Sequence, residues 1–243
     1  MCDADRSEAT RERCETVTEA TNASPADRLR TALRTPDGSE RVRSAMAAGT
    51  YPRREYVPVL VEQCAHEPDF TVRETLTWAL TRQDRDTTLA LVLPELRSTT
   101  PQARRQALHT LSKLGDPRAW PEITSALIHD ADPEVAKTAW RAAAGLAPDE
   151  AKPALAGELA RHFGDEADDV RQSLSRAFVA LGPAGQAVVD DAAASPDWDV
   201  RVHALATDHL IAHPEDDFEA AVAVARRAAA RRDAAGWGDP LQT

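Results

Sequence analysis

Asp69-Phe70-Thr71-Val72-Arg73 is one of five related stretches in this chain of 243 residues. The others are Thr100-x-x-Ala103-Arg104, Asp132-x-x-Val135-Ala136, Ala167-x-x-Val170-Arg171 and Asp197-x-x-Val200-Arg201. From Val72 they follow at steps of 31, 32, 35 and 30 residues. Self-similarity at such a period marks stacked repeats, in which each unit buries its apolar face on its neighbours.

Each position of the signature has a physical reason. An Asp before a helix caps its free N–H groups and suits the positive end of the helix dipole. The Val, with apolar residues four and seven or eight later, forms a buried stripe. In the first copy the stripe is Val72, Leu76, Ala79 and Leu80, and in the fourth it is Val170, Leu174, Ala177 and Phe178. The Arg can reach the Asp or the last carbonyls of a neighbouring unit. Asp69, Arg73, Arg104, Asp132, Arg171, Asp197 and Arg201 are therefore expected to form a structural ladder. Ala136 replaces the Arg, and Thr100 and Ala167 replace the Asp, so the ladder is expected to be interrupted there.

Working outward, residues 1–23 carry three basic and six acidic residues and one large aliphatic, Val17. Such a segment cannot bury enough apolar surface to offset its ordering, and a disordered acidic tail is expected. Ser24-Pro25 reads as an N-cap followed by Pro at the first helical position. An imperfect first pair of helices follows, at about 25–33 and 38–48. It carries an echo of the signature in Asp37 and Val42-Arg43. Five further pairs are expected. Their first (A) helices lie near 52–66, 87–97, 117–129, 149–163 and 184–194. Their second (B) helices lie near 70–82, 101–113, 133–144, 168–181 and 198–212. The units then span about 24–49, 51–82, 84–114, 116–146, 148–182 and 183–213. A closing helix is expected at 215–232 and a flexible tail at 233–243. Pro and Gly between elements, as in Gly115-Asp116-Pro117 and Gly182-Pro183, break helices where breaks are wanted.

Five registered copies on amphipathic helices resemble HEAT repeats, in the short form also seen in bilin-lyase-like HEAT proteins. The resemblance covers about residues 50–212, with a period shorter than that of standard HEAT units. It implies an all-α fold: a right-handed α-solenoid of about six stacked antiparallel helix pairs, with the B helices lining the concave face.

Charge is distributed unevenly. The chain has a net charge of −11, yet residues 24–118 hold 15 basic and 12 acidic residues, and residues 119–225 hold 7 and 20. The B helices past their first turn are basic. Two residues after the signature Val stand Glu74, Arg105, Lys137, Gln172 and Val202. Six residues after it stand Trp78, His109, Arg141, Arg176 and Ala206. These rows flank one another on a helix face. One reading is a groove offering Trp78, Arg105, His109, Lys137, Arg141 and Arg176 to an acidic protein partner, since Arg and Trp are typical interface anchors. The other is a set of solvated charges paired with acids in adjacent units.

Chemistry has less to rest on. The pI of about 5.1 argues against nucleic acid, which needs a strong positive field. HEAT-like alkylpurine DNA glycosylases use a concave cleft with Trp, Asp and Arg, and this chain offers Trp78, Trp140 and one candidate acid, Asp208. His209 and His213, four apart, could face a metal, with Asp208 and Glu215-Asp216-Asp217 nearby. No second metal pattern and no nucleotide-binding glycine motif supports either use. Three cysteines, Cys2, Cys14 and Cys64, make no disulfide framework and fit a reducing compartment. No apolar run is long enough to span a membrane and the N-terminus lacks a signal-peptide core. The reading is a cytoplasmic, non-enzymatic scaffold or adaptor with no cofactor, small-molecule substrate or membrane contact. The alternatives are a bilin-lyase-like accessory enzyme or a HEAT-like DNA glycosylase or other nucleic-acid-binding protein.

Overall fold

The structure is a computed structural model that describes residues 23–165 and 167–236. The expected disordered tail therefore lies, save Ala23, outside the described residues, as do residues 237–243. Every regular element among the described residues is helical. None of these helices is long and apolar enough to cross a membrane. The described residues form two compact units, divided between Leu91 and Val92.

In the first unit α1 (Pro25–Leu33) packs on α2 (Gly38–Thr50), and α3 (Val57–His66) packs on α4 (Phe70–Thr81). Helix α5 (Arg85–Val92) begins here. The starts follow from the sequence. Ser24 accepts the Asp27 N–H, Asp37 accepts that of Ser39, and Asp69 accepts those of Thr71 and Val72. These bonds satisfy donors that a helix start leaves open. Leu33, Val57, Leu60, Val72, Leu76 and Leu80 fill the core. Truncating a fully buried Leu such as Leu76 to Ala would cost about 2–5 kcal/mol. Helices α2 and α4 approach closely because residue 49 is glycine: a Cβ there would stand 2.3 Å from the Trp78 ring. Buried Gln83 ties this unit together. Its Nε2 donates to the Ala48 and Ala79 carbonyls, and its Oε1 accepts the Arg53 N–H.

The second unit contains α6 (Pro101–Leu114), α7 (Ser125–Ile128), α8 (Pro133–Leu146), α9 (Lys152–Leu159), α10 (Asp168–Leu181), α11 (Gln186–Ala193), α12 (Trp198–Ala212) and α13 (Phe218–Gly236). The B helices α6, α8, α10 and α12 pack one on the next. The A elements line up beside them, with α7 on α8, α9 on α10 and α11 on α12. Asp132 and Asp197 cap α8 and α12 through two N–H groups each. Thr100 and Ala167, which replace the Asp, make no side-chain cap. Gly164 stands at φ +83°, and a Cβ there would meet Val200 at 2.8 Å, so this turn needs glycine.

The A side is more broken than the expected helices. The stretch 117–129 forms a 3-10 turn, Pro117–Glu122, and then the four-residue α7. Pro121 inside the turn has no N–H to continue an α-helical ladder. The stretches 87–97 and 149–163 likewise end in 3-10 turns, Leu93–Arg97 and Ala160–His162. The closing helix starts later and ends later than expected. Asp217 accepts the Glu219 and Ala220 N–H groups and fixes its start at Phe218.

Candidate functional site

The signature arginines first fold back on their own helix entries. Arg73 Nη1 donates to the Glu67 and Pro68 carbonyls at 3.0 and 2.7 Å. Arg201 Nη1 donates to those of Ser195 and Pro196 at 2.7 and 3.3 Å, and Arg104 Nη1 to that of Ser98 at 2.9 Å. Some then reach an acid in the next repeat. Arg104 holds Asp130 through Nε and Nη2, both at 2.8 Å. In the first unit Arg41 holds fully buried Glu67 the same way, at 3.0 and 2.8 Å.

Two expectations are corrected here. The echo in the first pair centres on Arg41, four residues after the capping Asp37, and not on Val42-Arg43. The ladder also does not pair the capping aspartates with arginines. Asp69, Asp132 and Asp197 spend their carboxylates on helix N–H groups. The acids that receive Arg41 and Arg104 are Glu67 and Asp130, two residues before the cap. Each also accepts the N–H of the capping residue, from Asp69 at 3.0 Å and Asp132 at 2.9 Å. Burial pushes the Glu67 carboxyl up, and hydrogen bonds from Arg41, Gln63 and Asp69 more than reverse it, leaving it below the ordinary value. This extra position was legible as a repeat: Glu67, Ser98, Asp130, Asp165 and Ser195 all stand two before a cap and all accept its N–H. Thr100 loses the cap, yet Arg104 after it makes a full rung. The rung is absent after Ala136. Arg171 has only a serine at the matching place and turns to Asp168 on its own helix. Arg201 crosses to Asp233 on α13.

The row two residues after the signature Val is closed in the second unit. Arg105 lies 3.6 Å from Glu134, and Lys137 contacts both Glu134 and Asp169. Glu134 sits in the first turn of α8 and Asp169 in the first turn of α10. This row therefore stitches α6 to α8 and α8 to α10. Arg105 and Lys137, candidates for partner binding, are spent on the stack.

The row six residues after the Val is different. Arg141 on α8 and Arg176 on α10 are exposed and pair with no carboxylate among the described residues. His109 holds the same register on α6 and is half-buried. At α12 both rows disappear from the surface. Val202 and Ala206 are buried under α13, against Phe218, Ala221, Ala225 and Ala229. The open row thus runs over α8 and α10 and stops where α13 lies across α12. Next to that edge, Asp168, Asp169 and Gln172 of α10 face Asp217, Phe218 and Glu219 across a cleft of about 570 Å³. Trp78 belongs to the first unit. It is 41% exposed and rests on Gly49.

The other sequence candidates separate. Trp140 is 1% exposed and donates from Nε1 to the Ile128 carbonyl at 2.8 Å, so it is core. Asp208 is exposed and accepts from Gln186. The two do not converge on a cleft. His209 Nε2 lies 2.8 Å from Asp216, and its ring centre is 4.9 Å from that of His213. No group of three or more possible ligands that could hold a metal occurs among the described residues. Cys64 is buried, and desolvation first, then Glu67, pushes its thiol up to about 12.

Residues 89–179 match the family model for HEAT repeats. Three copies of the signature, those at 100–104, 132–136 and 167–171, lie within that span. No curated protein matches the chain. Among solved structures, an engineered protein from the Northeast Structural Genomics Consortium is similar at 14% identity and a TM-score of 0.43, over 78% of this chain and 99% of that one. The complex of CpcE and CpcF of phycocyanin lyase from Nostoc sp. PCC7120 is similar at 19% identity and a TM-score of 0.42, over 78% of this chain and 77% of that one.

Proposed function

We propose that the chain is a non-enzymatic HEAT-repeat scaffold that grips an acidic segment of a protein partner on the open B-helix row of its second unit. The observation behind this reading is the contrast along one register. At α12 the row is apolar and α13 covers it. At α8 and α10 the same positions are Arg141 and Arg176, exposed and without a carboxylate partner among the described residues. The cover on α12 supports the view that this face accepts a helix. The two arginines favour carboxylates in whatever lies on the neighbouring helices, through charge-assisted, often bidentate bonds. Helices packed side by side are about 8–10 Å apart, so one row offers regularly spaced anchors. The strongly acidic remainder of residues 119–225 repels acidic ligands elsewhere and narrows the place of contact.

Charge reversal tests this. The R141E/R176E protein should lose capture of its partners at least about tenfold, the order expected when interface anchors are removed. Its melting temperature should not change, because both side chains are exposed. The R227E/R231E protein, reversed on exposed residues of α13, should capture as the wild type does. Equal capture by the wild type and R141E/R176E would contradict the reading.

A further inference from the structure

Two histidines of the second unit that the repeat pattern does not explain stand in direct contact. His129, just after α7, and His162, at the end of the 3-10 turn after α9, face each other with Nδ1 and Nε2 2.8 Å apart. Their ring planes lie within 24° of parallel, with centres 4.9 Å apart. His129 Nε2 points at Glu158 Oε2 at 3.3 Å, and the Ser125 hydroxyl donates to the same oxygen at 2.6 Å. The His162 ring also lies against Trp140, at 4.7 Å between centres. The cluster thus joins one A element to the next, with the B helix α8 beneath it.

The contacts limit how many protons the pair can hold. An N···N separation of 2.8 Å needs one hydrogen between the two nitrogens. Glu158 is held below the ordinary carboxylate range, chiefly by the Ser125 hydroxyl and also by His129, so it accepts and His129 Nε2 donates. Two neutral rings satisfy both contacts. One added proton also satisfies them, because the N···N bond then becomes charge-assisted and stands beside an ionised carboxylate. A second added proton puts an N–H on both facing nitrogens, and two cations meet ring to ring. We propose that His129, His162 and Glu158 form a one-proton joint that holds successive repeats together and opens when the pair takes up a second proton.

The surroundings agree with that limit. Burial first, then the charge of His129, lowers the affinity of His162 for a proton, with a smaller push from Arg161. Asp165 and the Ile128 carbonyl act the other way. Trp140 of α8 brings no charge. Packed against the same turn, α11 carries Asp190 and Asp191, both exposed, with Asp190 held by Gln186. Strongly interacting groups of this kind titrate as a pair in two macroscopic steps.

Nitrogen-detected NMR of the full-length protein, with histidine side chains labelled, tests the joint. H129Q and H162Q assign the resonances. The expected result is two steps for the pair, separated by more than about one pH unit, a tenfold or larger loss of proton affinity for the second. Between the steps, a scalar coupling should be visible across the N–H···N bond, and it should vanish below the lower step together with a shift of the Trp140 indole signal. If either variant fails to fold, the coupling itself identifies the pair in the wild-type protein. A single shared step with an ordinary midpoint, or no coupling at any pH, would overturn the proposal.

Discussion

The joint between α6 and α8 and the joint between α10 and α12 solve one packing problem in opposite ways. The first is charged: Arg104 holds Asp130 bidentately, both side chains largely out of solvent. In the second, Ser195 stands where the acid would be, and Arg171 turns to Asp168 on its own helix. This joint is neutral instead, built on buried His203. That ring accepts the Gly164 N–H at Nδ1 and faces the Arg171 carbonyl and Ser175 at Nε2, and Ser175 bonds Thr207. Between them, the α8/α10 joint has Ala136 where the arginine would stand, and the Lys137–Asp169 contact on the open side. The signature is therefore a default device, and where it lapses, other polar groups take over the link between repeats.

The contrast can be broken most severely at the charged joint. Asp130→Ala leaves the Arg104 guanidinium partly buried and without its carboxylate. Urea unfolding should show a loss of about 3–5 kcal/mol, the range for breaking one side of a buried pair. Asp165→Ala, at the matching place in the repeat that lacks the arginine, should cost under about 1 kcal/mol, the scale of a single turn hydrogen bond. Equal losses would remove the distinction between the two repeats.

Acid should weaken the neutral joint through His203. Burial depresses His203 from 6.5 to about 4. The unfolded chain binds a proton below about pH 6.5 that the folded chain refuses until about pH 4. The contribution of His203 is thus fully present above pH 6.5 and is lost as pH falls through that window. At 1.36 kcal/mol per unit the loss is about 3 kcal/mol. Unfolding free energies measured from pH 7 to pH 4 should show this slope in the wild type. His203→Asn should start lower at pH 7 and lack it. The smallest change expected is a gain. Ala136→Arg restores the signature opposite Asp165 and should stabilise by up to about 1 kcal/mol, the usual yield of an added compatible interaction. A calorimetric melting temperature that rises by a few degrees would show it.

The legible and illegible parts of the fold divide along the same lines. The B helices were readable because cap, stripe and arginine recur in register, so that Asp132 and Val135 announce α8 without any knowledge of its neighbours. The A side was not, because Pro121 and the short 3-10 turns interrupt a pattern that has no signature of its own. Among site residues, Glu67 and Asp130 were in plain view two places before each cap, but an acid there looks like one more loop residue until the arginine is seen to reach it. Val202 and Ala206 were also informative, since apolar residues in a row of charges say that something covers the last repeat. Nothing local joins His129 to His162: they are 33 residues apart and meet only because one repeat packs on the next. The division of the basic rows into a paired one, with Arg105 and Lys137, and an open one, with Arg141 and Arg176, depends on side-chain reach across helices, which spacing along one helix does not contain.

The open row is the central claim, and position-specific photo-crosslinking addresses it most directly. A photo-reactive residue in place of Arg176, on the open face, should form a covalent adduct with the bound partner. The same residue in place of Asp190, exposed on the A helix α11, should form none. Adducts from position 190 and none from position 176 would contradict the account and move the binding surface to the other side of the second unit.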